Sequence, residues 1–188
     1  MKYLFVLLSI FFTQSFCAQY NPLSGSIFYK EFSKVHTEYI AKAYVAEQIL
    51  TPTGTPQKFY VDAVTAATSG ELTCLVYKAD GKKGLLFGFW GKKVNENGLL
   101  INQYSFTHLE YERALKLLES LEKILADNFQ YAVSDEPEQE LIIRIEDFDF
   151  LIHLDHTPVL RVIWNGFDSE WRVSELKRTK KRLLKKLK

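Results

Sequence analysis

Cysteine is nearly missing from this 188-residue chain: Cys17 and Cys74 are the only two. A disulfide-stapled scaffold is therefore excluded, the more so if Cys17 leaves with a processed N-terminus. Long hydrophobic runs are scarce as well. The longest, Tyr3–Phe12, is half of the roughly 20 residues that a membrane-spanning helix needs. There is no G-x-S-x-G elbow for a serine hydrolase and no glycine-rich phosphate loop. An N-x-S/T glycan acceptor is lacking too, which suits a bacterial exported protein better than a eukaryotic one.

The short apolar run has the right neighbours for a secretory signal. Lys2 gives a positive start, Tyr3–Phe12 carries no charge, and Thr13–Ala18 is smaller and more polar. The sequence thus predicts a signal peptide over 1–18 and a single globular domain over 19–188. A cut after Cys17 sets small Ser15 three residues back, whereas a cut after Ala18 sets bulky Phe16 there. Lipidation of Cys17 is disfavoured by Phe16 beside it and Gln14 three back. The expected location is outside the cytoplasm, periplasmic or extracellular. About 170 residues with 47% hydrophobic content are enough to bury a core, so extended disorder is excluded.

Charge is unevenly spread. Residues 19–171 hold 14 basic and 22 acidic residues, whereas 172–188 hold nine basic residues and one acid. The body offers no basic excess, so nucleic acid is not an expected partner. The basic end, "KRTKKRLLKKLK", reads as a helix. Val173, Leu176, Lys180, Leu183, Leu184 and Leu187 fall on one stripe, thinly apolar and broken by Lys180. The expectation is a helix docked through Trp171, Val173 and Leu176 and fraying beyond, so that losing 180–188 would leave the fold intact. Its cations are also suited to a weak contact with an anionic membrane surface.

The pattern between the ends is α+β. Segments 58–65, 72–78, 84–90 and 99–106 read as an antiparallel meander, with Asp80-Gly81 and Asn97-Gly98 as turn pairs. Thr107 and Glu110 suggest a capping box opening a helix to 127. More strands follow at 141–145, 148–154 and 159–164, and Asp168 suggests the cap of a last helix to 187. Segment 35–50 alternates as a strand would, yet has a helix-forming composition; pairing as a strand with 58–65 is the preferred reading. The sum is an antiparallel meander sheet of about six or seven strands with two helices, roughly 107–127 and 168–187. No internal repeat is visible.

Candidate chemistry is sparse. Asp147, Asp149, His153 and Asp155 gather acids and imidazole over 147–156, a pattern that could serve a small hydrolase. Acids at strand spacing are also common on wet sheet faces. His153 and His156 lack the third and fourth ligands of a zinc site, so neither a metal nor a cofactor is expected. Phe89, Trp90, Trp164 and Trp171 could line an aromatic groove or fill a core. Cys74, inside "LTCLVY", is expected to be a buried, unreactive thiol. The leading expectation for function is a non-catalytic binding or envelope-associated module; the alternative is the hydrolase.

Overall fold

The apolar run around Cys74 dictates the architecture. In "LTCLVY" four consecutive residues, Cys74 to Tyr77, are all buried, so the strand that holds them is covered on both faces. The computed structural model describes residues 27–64, 71–94, 97–128, 139–154 and 159–188. The predicted signal segment 1–18, Cys17 included, lies outside the described residues. The chain divides into two units, Met1–His36 and Thr37–Lys188; the first holds the described start of helix α1 (Ile27–Gln48).

Within Thr37–Lys188 the first sheet runs in the order β1 (Phe59–Ala63), β2 (Leu72–Ala79), β3 (Lys82–Val94) and β4 (Leu100–Glu110), all antiparallel. Helix α2 (Tyr111–Asp127) follows β4 directly. The second sheet runs β5 (Gln139–Ile145), β6 (Phe148–Leu154), β7 (Val159–Trp164) and β8 (Phe167–Arg172), and helix α3 (Val173–Leu187) follows β8 directly. Each half is thus a four-stranded meander that ends in a helix, although the two halves share no visible sequence repeat.

The antiparallel α+β class is as read from the sequence; the strand count and grouping are not. Among the described residues, eight strands in two sheets replace a single sheet of six or seven, and there are three helices rather than two. The strand reading of 35–50 is overturned. Thr37, Ala41, Val45 and Ile49 are buried at four-residue steps, with Ile40 and Tyr44 beside them, so helix-favouring composition prevails over apparent alternation. The capping box at Thr107 and Glu110 is also overturned, because 107–110 complete β4, where Leu109 is buried. Asp168 caps no helix: it belongs to β8, whose Phe167, Ser169 and Trp171 point inward and whose Asp168, Glu170 and Arg172 point out. The Asp80-Gly81 turn holds; both residues have positive φ, as a tight hairpin requires.

One core lies between the sheets. Cys74, Val76, Leu85, Phe87 and Phe89 of the first sheet meet Phe148, Phe150, Leu160, Val162, Phe167 and Trp171 of the second. Helices α2 and α3 seal it with Leu117, Leu118, Leu121, Leu176, Leu183 and Leu187. A second, smaller core lies on the other face of the first sheet, where Ala41, Val45 and Ile49 cover Leu75, Tyr77, Leu86 and Phe106.

Helix α3 corrects the expected fraying. Its buried stripe is Leu176, Thr179, Leu183 and Leu187, so the core-facing position is Thr179, not Lys180. Thr179 lies in the core without an unmet donor because its hydroxyl donates to the Glu175 carbonyl, 2.8 Å away. The far end is held too: Lys83 Nζ donates to the Leu187 carbonyl at 2.7 Å. Losing 180–188 would thus strip two core leucines rather than leave the fold intact. Leu183→Ala is expected to cost about 3 kcal/mol in urea unfolding. A loss below about 1 kcal/mol would show the end of α3 to be undocked.

Candidate functional site

Of the nine cations of 172–188, Arg172 ends β8 and bonds Glu170, and the other eight separate into two groups once α3 is docked. Three reach into the body. Lys180 donates to Glu122 Oε2 at 2.7 Å, with Glu119 at 3.7 Å. Arg182 donates to the Val64 carbonyl, and Lys186 pairs with Asp62 on β1. The hydrogen bond to Glu122 holds the Lys180 ammonium above its usual range, so it stays charged at any physiological pH. Lys177, Arg178, Lys181, Lys185 and Lys188 are exposed. Lys177, Lys181 and Lys185 recur every fourth residue, about 6 Å apart along the axis, on the face opposite the buried stripe. Like charges so spaced repel one another, and burial of the other face is what holds them in line.

The 147–156 segment is arranged differently. Glu146 and Asp147 form the two-residue turn between β5 and β6, with Glu146 at positive φ. Glu146 accepts from Arg113 of α2, and that bond holds its carboxyl below the usual range. Asp147 is exposed in the turn. Asp149 lies on the outer face of the second sheet, where Arg144, its partner in register, donates to it at 2.8 Å. Arg161 bonds Asp168 and Arg172 bonds Glu170 on the same face. The side chain of His153 and all of Asp155 lie outside the described residues. Among the described residues no three of His, Cys, Asp and Glu converge as metal ligands would.

The aromatic candidates separate by face. Phe89 stacks on Trp164 at 5.1 Å between ring centroids, and Trp171 meets Phe87 edge-on, all within the inter-sheet core. Trp90 points to the other face of the first sheet and stacks on Tyr104 at 4.1 Å. Cys74 is fully buried in β2.

A polar cluster that sequence reading missed lies under α1. Tyr44 Oη is 3.0 Å from His108 Nδ1, and the Tyr77 ring meets the imidazole edge-on. Burial lowers the affinity of His108 for a proton, against a smaller opposing pull from Glu110; Lys82 and Arg113 act with burial. The imidazole tautomer sets which of Tyr44 Oη and Nδ1 donates in this bond. The Tyr77 hydroxyl is buried without a hydrogen-bond partner, and burial first, then Glu110 and Tyr44, push its pKa up to about 12. Gly84 makes room for it: a Cβ there would lie 2.9 Å from the hydroxyl and 2.1 Å from the Leu109 carbonyl. The three residues come from separate elements, so the pairing of β2, β3 and β4 and the packing of α1 on that sheet are both needed to bring them together.

The chain matches no protein family model, and no curated protein or solved structure is significantly similar to it. No helix among the described residues is long and apolar enough to cross a membrane.

Two outcomes follow for the polar cluster. Removing an unpartnered buried hydroxyl relieves a desolvation cost, so Tyr77→Phe is expected to raise stability by about 1 kcal/mol; a loss of that size would reveal a bridging water. For His108, the unfolded chain binds a proton near the ordinary value of 6.5 and the folded one only at lower pH. Between those two values the unfolded state holds more protons, so stability declines as pH falls through that window. Urea midpoints of the native protein and His108→Asn should therefore draw together as pH is lowered through it; parallel pH profiles would remove His108 from this role.

Proposed function

We propose that the protein is a non-catalytic, exported module that binds an anionic envelope surface through the outer face of α3. The observation that carries this reading is the sidedness of α3. One face is fixed in the core by Leu176, Leu183 and Leu187, three cations are turned to internal partners, and four remain outward on the helix with Lys188 just past its end. A solvated helix needs no such alignment, whereas a layer of phosphate headgroups is recognised by it at about 1 kcal/mol per cation near the surface. The leucines are occupied by the core, so binding would be electrostatic and would not involve insertion of this helix. Export is supported by Lys2, the uncharged Tyr3–Phe12 run and the small residues before Gln19.

Co-sedimentation with vesicles tests this. The protein is expected to bind vesicles containing phosphatidylglycerol, to ignore purely zwitterionic ones, and to lose binding as salt rises. The triple variant Lys177→Glu, Lys181→Glu, Lys185→Glu should bind at least roughly a hundredfold more weakly, since three contributions of about 1 kcal/mol are removed. Its unfolding transition should be unchanged, because all three side chains are exposed. Equal binding by the variant, or recovery of the native protein in the cytosolic fraction of its host, would overturn the proposal.

A further inference from the structure

The two sheets have four edges among the described residues, and three of them are guarded. Strand β1 is only five residues long, and its Asp62 is tied to Lys186. Strand β5 carries Arg144, and β8 alternates Asp168, Glu170 and Arg172. Shortness and charge are the usual means by which a sheet edge is kept from pairing with another chain.

Strand β4 has neither before its last residue, Glu110. It is eleven residues long, and "LINQYSFTHL" over 100–109 contains no Lys, Arg, Asp, Glu or Pro. Its register with β3 runs residue for residue from Val94↔Leu100 to Gly84↔Glu110, so no bulge turns the edge away. No described strand pairs with its outer side. Past Phe89↔Ser105, β3 and β4 continue beyond the end of β2 as a two-stranded ribbon, with Leu100 67% and Ile101 40% exposed.

We infer that β4 is a self-association edge, along which two copies of this chain pair antiparallel about a twofold axis and join their first sheets into one of eight strands. A second copy suits this edge on its chemistry. A twofold contact sets the same stretch against itself in reverse, and a charge close to the axis would meet its like across it. A stretch of ten uncharged residues is what such a contact tolerates, and antiparallel backbone pairing is self-complementary by geometry. The exposed Leu100 and Ile101 would then gain cover that β2 does not extend to. The inference does not rest on the reading of α3, although pairing would present two basic faces at once and strengthen binding to a surface.

Analytical ultracentrifugation over a concentration series of the purified protein tests it. The native protein is expected to sediment with twice the monomer mass. The double variant Ile101→Lys, Gln103→Lys, which restores edge charge, should sediment as a monomer with unchanged circular dichroism. Leu100→Lys, at the more exposed position, is the second variant should the first lose its fold. A native protein that is monomeric throughout, or a folded lysine variant that remains dimeric, would overturn the inference. Vesicle binding by the lysine variants should persist at reduced strength if α3 acts as proposed, so the two readings fail separately.

Discussion

The double coverage of β2 is the constraint on which the rest of the structure depends. Cys74 and Val76 face one way and Leu75 and Tyr77 the other, and all four are buried. A strand with two apolar faces needs a layer on each side. On one side the layer is the C-terminal half of α1; on the other it is the second sheet with α2 and α3. The cost of filling the α1 side appears at Tyr77, whose hydroxyl is taken from water and given nothing in return. The ring nevertheless fits, because Gly84 has no side chain and the β4 backbone can approach it closely.

Sequence patterns gave the first sheet, since its turns carry Asp80-Gly81 and Asn97-Gly98 and its strands are long. They failed at the starts of α2 and α3, and for one physical reason. Both helices follow a strand without a loop, and the capping residues Glu110 and Arg172 are extended and make no side-chain cap bond. Capping signals read from Thr107 and Asp168 therefore pointed several residues too early, to side chains that belong to β4 and β8. In "FDSEWR" only three inward positions mark the alternation, and one of them is Ser169, so the period of two was too short to outweigh an apparent cap. The α1 reading failed because Ile40, Ala41, Tyr44 and Val45 form a helical face only when neighbours one and four apart are counted together.

The basic end was legible as a composition and not as a surface. Nothing local tells Lys180 from Lys181, or Lys186 from Lys185. The difference is made by Glu122, Asp62 and the Val64 carbonyl, which lie 58 to 124 residues earlier in the chain. Reading Lys180 as part of the buried stripe followed from the same limit. The helix is rotated so that Thr179, able to satisfy its own hydroxyl within the helix, takes the core position and leaves Lys180 beside two glutamates. The 147–156 acids were likewise legible as a cluster, but the Arg144–Asp149 bond follows from hairpin register, which composition does not carry.

The late position of α3 in the chain has a consequence for synthesis. Leu183 and Leu187 complete the core that Leu72 to Phe89 began, and the Lys83–Leu187 bond joins residues 104 apart. A nascent chain that has emerged only as far as β8 has both sheets' inner faces wet at one end, and no earlier segment of the described chain can stand in for the missing leucines. The main core therefore cannot close until α3 has been made, and loop closure over such separations is slow. The interval during which this polypeptide remains open is thus set by the making of α3, the element that carries both leucines.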